Sequence, residues 1–185
     1  MPDCIECGEY TKFKNGLCTD CYQKENGNKW VAGVIKGRIA ETIIEQLFIS
    51  LDFQVYKYGM ENTIPGIADL LKGVRGDVSK NIRQMPDFVV FKDKQAHFIE
   101  VKYRKSGKLS IKDIENYGDY PFENALFVLV TPKHIKCISY SELKEGKEIT
   151  EKCRNWLGSR KEFETCKDTI MEYCKYAVKF FENVD

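Results

Sequence analysis

The sequence predicts an α/β domain with a small metal-binding module at its N-terminus, and three observations carry that prediction. Two CxxC pairs, Cys4/Cys7 and Cys18/Cys21, come before any long apolar pattern. After them, helix-like and strand-like runs alternate along the chain. One of these runs, Ala125–Val130 (ALFVLV), is apolar throughout, as a strand buried on both faces must be.

A chain of 185 residues can bury one ordinary core and carry one small appended module, since domains commonly run to about 100–150 residues. The expected division is 1–28 for the metal-binding module and 29–185 for the main domain, with a helical extension from about residue 149. Lys and Arg number 29 against 28 Asp and Glu, a formal net charge of +1, so any polyanionic partner has to be met by a local patch. No apolar run approaches the roughly 20 residues that cross a bilayer. The opening MPDCIECGEY has neither the basic nor the apolar stretch of a secretion signal. An intracellular, cytoplasmic chain with no membrane partner is expected. In that setting, four of the eight cysteines arranged as two CxxC pairs point to metal ligation rather than to disulfides.

Residues 24–29 (KENGNK) are polar, with Gly27 between two asparagines, and are expected to form a hinge. From Trp30 onward Val31, Val34, Ile35, Ile39, Ile43, Ile44, Leu47, Phe48 and Leu51 recur at steps of three and four. That spacing predicts an amphipathic helix of about 20 residues. The segment 53–59 (FQVYKYG) is β-branched and aromatic, ends on glycine and reads as a strand. Residues 60–84 mix Pro65 with glycines and brief apolar clusters, which predicts a loop with one short helix.

Two strand-like runs, 87–91 (DFVVF) and 96–103 (AHFIEVKY), flank the polar connection KDKQ and predict an antiparallel hairpin. Leu109, Ile111, Ile114 and Tyr117 have near-helical spacing behind Ser110, a residue suited to a cap, so a crossover helix is expected. ALFVLV then belongs at the centre of the sheet, HIKCISY reads as a further strand, and SELKEG ends in a turn at Gly146. A short helix is expected over Ile149–Leu157. A second, from Lys161 to Glu182, carries the stripe Phe163, Cys166, Ile170, Tyr173, Cys174, Ala177, Val178 and Phe181.

Each CxxC pair brings two sulfurs to one tight knuckle, and two knuckles complete the tetrahedral thiolate shell of structural Zn²⁺. Gly8 and Gly16 stand where the knuckles have to bend. The wording CIECG and NGLCTDCY resembles zinc ribbons and treble-clef fingers, modules that bind DNA, RNA or protein or simply brace a fold. With four thiolates the shell has no open position, so chemistry at this ion is not expected.

The chemistry-bearing segment is MPDFVVFKDKQAHFIEVKYRKS. Asp87 opens one strand, while Glu100 and Lys102 lie two apart on the next and so share a face. The hairpin folds Asp87 back toward that pair. Hard oxygens from Asp87, Glu100 and the backbone carbonyl of Val101 suit Mg²⁺, or Mn²⁺, while Lys102 can orient a water and neutralise charge developing on phosphorus. Charges at Glu100 and Lys102 within an otherwise apolar run call for a reason. Arg104, Lys105, Lys108 and Lys112 follow closely and are the candidate phosphate contacts.

This pattern, Pro86-Asp87, twelve residues, then Glu100-Val101-Lys102, resembles the PD-(D/E)xK, or restriction-endonuclease-like, nuclease superfamily. That resemblance implies an αβββαβ core with a mixed sheet, and the elements read above follow the same order. It also implies a metal-dependent nuclease, DNA being the expected substrate and RNA the alternative, acting most simply as an endonuclease with the zinc finger assisting docking. The family often carries a glutamate on its first helix at the metal site, which corresponds to Glu41, with Glu45 one turn later as competitor. Tyr117 stands where relatives often have Tyr or Gln on the crossover helix. A homodimer is compatible with all of this.

Cys153, Cys166 and Cys174 are spaced by twelve and seven residues and do not form a cluster-binding pattern; the last two sit on an apolar stripe. His97 and His134 are isolated and read as ordinary strand or loop residues. Asp69 or Asp77 can replace Asp87 only if the strand assignment fails. The rival reading is a non-catalytic nucleic-acid or protein-binding module that reuses the nuclease fold.

Overall fold

A computed structural model describes residues 3–11, 16–60, 64, 66–71, 74, 76–115, 118–163 and 167–182. Its contacts divide the chain into two compact units, Met1–Arg38 and Ile39–Asp185.

In the first unit a knuckle closes through Gly8 N–H to Cys4 O and Cys4 N–H to Glu9 O, at 2.9 and 2.6 Å. Gly8 and Gly16 adopt φ of 76° and 77°, left-handed conformations that glycine takes without a side-chain clash. The helix α1 then runs Thr19–Ser50, placing Cys18 just before its start and Cys21 in its first turn. Segment 24–29, expected as a hinge, is part of this helix: the Lys29–Glu25 pair is spaced i,i+4 and Asn26 Nδ2 donates to Tyr22 O at 2.9 Å. Neither the hinge nor a break at residue 28 is present. Local i,i+4 pairing, at about 0.2–0.5 kcal/mol per pair, offsets part of the cost of one helical glycine, about 1 kcal/mol.

The second unit is built on a five-stranded mixed sheet in the order β1-β2-β3-β4-β5. The strands are β1 Gln54–Lys57, β2 Phe88–Lys92, β3 Gln95–Tyr103, β4 Ala125–Val130 and β5 Ile135–Ser139. Only the β3–β4 pair is parallel. The short helices α2 Ile67–Leu70 and α3 Asp77–Arg83 fill the segment expected to hold one. α4 Ile111–Ile114 is the crossover between β3 and β4, and α5 Tyr140–Lys144 and α6 Lys167–Phe181 follow the sheet.

Alternation along β3 splits the core in two. Ile99 and Val101 point to the layer formed by Ile43, Ile44, Leu47 and Phe48 of α1 and by Ile170, Ala177 and Phe181 of α6. The opposite face carries Phe98, Phe127 and Leu129, covered by Ile114 of α4, Leu143 of α5 and the ring of Tyr120. β4 is buried at every position, as its apolar run demands. The stripe on α1 is buried only from Ala40 onward; Val31, Val34 and Ile35, expected to face a core, are exposed.

The β2–β3 connection is tighter than the four residues expected. Lys92 pairs with Gln95, leaving only Asp93 and Lys94 as the turn, both at positive φ (49° and 63°). Paired positive φ is the mirror-image turn that matches strand twist.

Ser110 caps α4 as expected, its N–H and hydroxyl both donating to Asp113 Oδ2 at 2.9 Å. The described part of that helix is one turn, shorter than expected. The turn expected at Gly146 is present, with φ of 84°, and the residues ahead of it form α5, because Ser139 and Glu142 build a reciprocal cap. Ile149–Leu157 is not helical: Ile149 bridges Leu109, and a 3₁₀ turn starts at Leu157. The last helix starts at Lys167 rather than near Lys161, where residues 161–163 form a 3₁₀ turn. Tyr117, Cys166 and the side chain of Asp69 lie outside the described residues. Among those described, no helix is long and apolar enough to cross a membrane.

Candidate metal centre and carboxylate site

The ligand atoms of Cys4, Cys7, Cys18 and Cys21 all lie within 4.8 Å of one another. Cys7 and Cys18 sulfurs are 3.6 Å apart. Cys4 and Cys18 are buried with Leu17 as the small core of this unit. Hydrogen bonds from the backbone of Cys18, and further ones from Cys7 and Glu6, hold the Cys4 thiol down at about 6 against the effect of burial. The neighbouring sulfurs of Cys7 and Cys18 push Cys21 well up. Cys7 also rises, the sulfur of Cys18 and burial outweighing a backbone hydrogen bond from Glu9. Four thiolates this close repel one another unless a cation neutralises them, which is the fit that structural Zn²⁺ provides.

The second site lies where β2 begins and β3 continues past it. Phe88 pairs with Ile99, so the chain ahead of β2 runs beside Val101. Asp87 is buried there, and its Oδ2 accepts a hydrogen bond from Val101 N–H at 2.7 Å. In a strand the N–H and C=O of one residue point to the same side, so the Val101 carbonyl faces the Asp87 edge as well. Glu100 and Lys102 sit on the other face of β3, in register with Phe127 and Leu129 of β4. The Lys102 ammonium donates to Glu100 Oε1. Glu100 keeps 12% of its side chain exposed and Lys102 35%, so the pair opens to solvent at one end.

Electrostatics tie these groups together. Burial first, then the charges of Glu100 and Glu41, push the Asp87 carboxyl well above the usual range. Lys102 and the Val101 N–H act the other way. Burial disfavours the Lys102 ammonium, but Glu100 and Asp87 outweigh it and raise its pKa, keeping it charged. The Lys102 ammonium is thus balanced against Glu100 and Asp87, and Glu41 adds its negative charge at Asp87. Among the described residues the four sulfurs are the group of ligand atoms close enough to hold one ion, and the carboxylates do not form such a group.

Of the two helical glutamates, Glu41 is the one that Asp87 feels. Glu45 pairs instead with Lys57 of β1 at 3.6 Å. Arg104, Lys105, Lys108 and Lys112 are all exposed. Arg104 lies close enough to work against the charge of Lys102, and Lys105 lines a cavity shared with Lys133 and Lys152. His97 is half-buried against Phe163, and His134 meets Trp156 edge-on.

Two residues near the site escaped the sequence reading. Tyr120 is buried with no hydrogen-bond partner for its hydroxyl among the described residues, and it feels the charges of Glu100 and Asp87. Gln84, just ahead of Pro86-Asp87, is buried with both amide atoms unpartnered among the described residues, and few buried polar groups go without a partner. Their signal in the sequence was only their nearness to the motif and to the crossover.

Fold and sites together define an α/β protein with a mixed five-stranded sheet and a four-cysteine centre fit for zinc. No family model and no curated protein matches the chain.

Proposed function

We propose that the chain is a metal-dependent nuclease of the PD-(D/E)xK type that hydrolyses phosphodiester bonds, with DNA as its substrate and endonucleolytic cleavage as its action. The restriction-endonuclease-like core is part of this reading: the order α1, a three-strand meander, crossover α4 and β4 supports it. The observation that carries it is the meeting of Asp87, Glu100, Glu41 and Lys102 at one end of the β2–β3 pair.

Asp87, Glu100 and the Val101 carbonyl would hold Mg²⁺ or Mn²⁺. Such an ion, when bound, acidifies a coordinated water and neutralises charge on the phosphate oxygens. Lys102 is kept protonated by the two carboxylates, so it donates to the attacking water and to the phosphorane oxygens. Glu41 adds negative charge and can order a water at the edge of the set. The Val101 N–H fixes the Asp87 carboxylate, limiting the reorganisation the site needs when substrate arrives.

The N-terminal Cys4 unit, with its second pair at a helix start, supports a ribbon or treble-clef finger that assists docking.

The test is cleavage of supercoiled, linear and single-stranded DNA with Mg²⁺ or Mn²⁺ by the wild type, Asp87→Ala and Lys102→Ala. Metal-dependent cleavage lost in both variants is expected. Cleavage unaffected by both changes overturns the site, and no cleavage of any nucleic acid favours a binding module.

A further inference from the structure

An apolar slot of about 500 Å³ opens on the second unit between β5, the 3₁₀ turn at Leu157–Ser159 and α6. That size lies within the range of small-molecule sites, about 300–1,000 Å³. Ile135, Leu157 and Ile170 form its buried floor, and Met171 stands exposed at its rim. Gly158 is part of the wall because a Cβ there would meet Ile170 Cδ1 at 3.2 Å.

One side is an aromatic wall held in place. Trp156 bridges Lys136 as an isolated strand pair, and the Lys136 ammonium lies 5.0 Å from the centre of the indole ring. That ammonium is buried and fixed by the carbonyls of Thr150 and Glu151 at 2.6 and 3.0 Å. The His134 ring meets the indole at 4.7 Å. A buried cation over the indole fixes the ring before any ligand arrives.

Three exposed lysines, Lys133, Lys167 and Lys175, ring the slot, and no acidic side chain lines it among the described residues. Lys133 and His134 also line a second cavity of about 550 Å³, which continues to Lys105. Lys105 lies two residues past the end of β3, the strand that carries Glu100 and Lys102. Lysines therefore line both adjoining cavities, with Glu151 the one acidic residue in the lining of the second among the described residues.

We infer that the slot receives an unpaired base of a single-stranded end of the substrate, stacked at Trp156 and His134, with its flanking phosphates on Lys133, Lys167 and Lys175. This takes its substrate class from the nuclease reading above. The chemistry is that of strand-binding proteins generally, aromatic walls for base faces and lysines for the backbone. A paired base cannot leave its duplex to enter such a slot without losing stacking, so the site discriminates single strands and frayed or flapped ends from blunt duplex.

The experiment is fluorescence anisotropy of the full-length, zinc-loaded chain with a labelled short oligothymidylate, with Ca²⁺ replacing Mg²⁺ to hold cleavage. A blunt duplex of equal length and palmitate as competitor complete the set. Expected are at least about tenfold tighter binding of the single strand than of the duplex, and about tenfold weaker binding by Met171→Glu. The lysine variants Lys133→Glu, Lys167→Glu and Lys175→Glu should each lower the salt slope by about 0.7, the single-strand value per phosphate. All four positions are exposed, so folding is retained. Wild-type affinity in all four variants overturns the inference, and so does displacement of the oligonucleotide by palmitate. Asp87-dependent cleavage with slot variants that bind normally removes the slot and leaves the nuclease. Slot-dependent binding without cleavage in Mg²⁺ keeps the slot and removes the nuclease.

Discussion

The Asp87 carboxylate and the Val101 amide are joined by a 2.7 Å hydrogen bond that ties the residue ahead of β2 to the middle of the Glu100–Lys102 triplet. The bond orients one metal-ligand candidate against another without consuming the second oxygen of Asp87. An asparagine there can still accept from Val101 while removing the charge. Asp87→Asn is expected to lose cleavage by about 10²–10³-fold or more in single-turnover assays. It should also raise stability on the order of 1 kcal/mol, or a Tm gain of about 2–4 °C. The sign follows from the direction of the shift: burial and the charges of Glu100 and Glu41 disfavour the ionised Asp87 carboxylate, and a neutral amide escapes that penalty.

Lys102→Met should have the opposite effect on folding. Lys102 is the ammonium that offsets Glu100 and Asp87, so its loss leaves two partly buried carboxylates uncompensated. Expected are a Tm decrease and a cleavage rate lower by about 10²–10³-fold. A Tm equal to or above that of the wild type would contradict the charge balance described here.

Metal removal should act on the first unit alone. Chelation, or Cys18→Ser, is expected to lower the zinc content from one ion per chain. Amide hydrogen exchange should then rise over residues 3–21 while β3 and β4 stay protected, since those strands draw on a separate core.

Arg160 donates to Glu142 at 2.6 Å and to Glu162 at 2.7 Å, linking α5 to the turn before α6. Despite burial, the Ser139 N–H and Arg160 together lower the pKa of Glu142 below 4.5, and Arg160 lowers that of Glu162. Groups lowered in this way contribute stability that is fully present above 4.5 and lost as pH falls through and below it. The Tm difference between wild type and Arg160→Met should therefore shrink as the pH is taken below that value.

The turn Asp93-Lys94 holds two non-glycine residues at positive φ. Replacing the pair by Asn-Gly is expected to stabilise the chain by about 0.5–1 kcal/mol, measured by urea unfolding, with no change in cleavage.

Much of the main domain was legible because its signals were local. Glu100 and Lys102, two residues apart on β3, and the unbroken apolar run of β4 follow directly from strand periodicity and burial. The cysteine spacing was equally direct. Segment 24–29 misled because composition speaks of hinges while i,i+4 pairs act through geometry. The exposed Val31, Val34 and Ile35 belonged to a correct helical pattern but not to a core, since periodicity marks a face without saying what covers it. Tyr120 and Gln84 had no signal beyond their nearness to the motif and the crossover: their interest lies in unsatisfied polar atoms, which only packing reveals. Ile149, read as helix, is held by a bridge to Leu109 forty positions away, a contact no local window contains.

The alternation along β3 also guards the pairing of the sheet while the chain folds. A slip of one residue against β2 or β4 would turn Glu100 and Lys102 into the layer of Ile44, Leu47 and Phe48 and turn Ile99 and Val101 out of it. Burying that pair among aliphatic side chains costs several kcal/mol, far more than a misaligned ladder of hydrogen bonds returns. The two charges proposed for cleavage therefore penalise every slip by an odd number of residues. A variant that replaces both with aliphatic residues should lose that protection, and mispaired, aggregation-prone chains should accumulate during refolding even where the native fold stays intact.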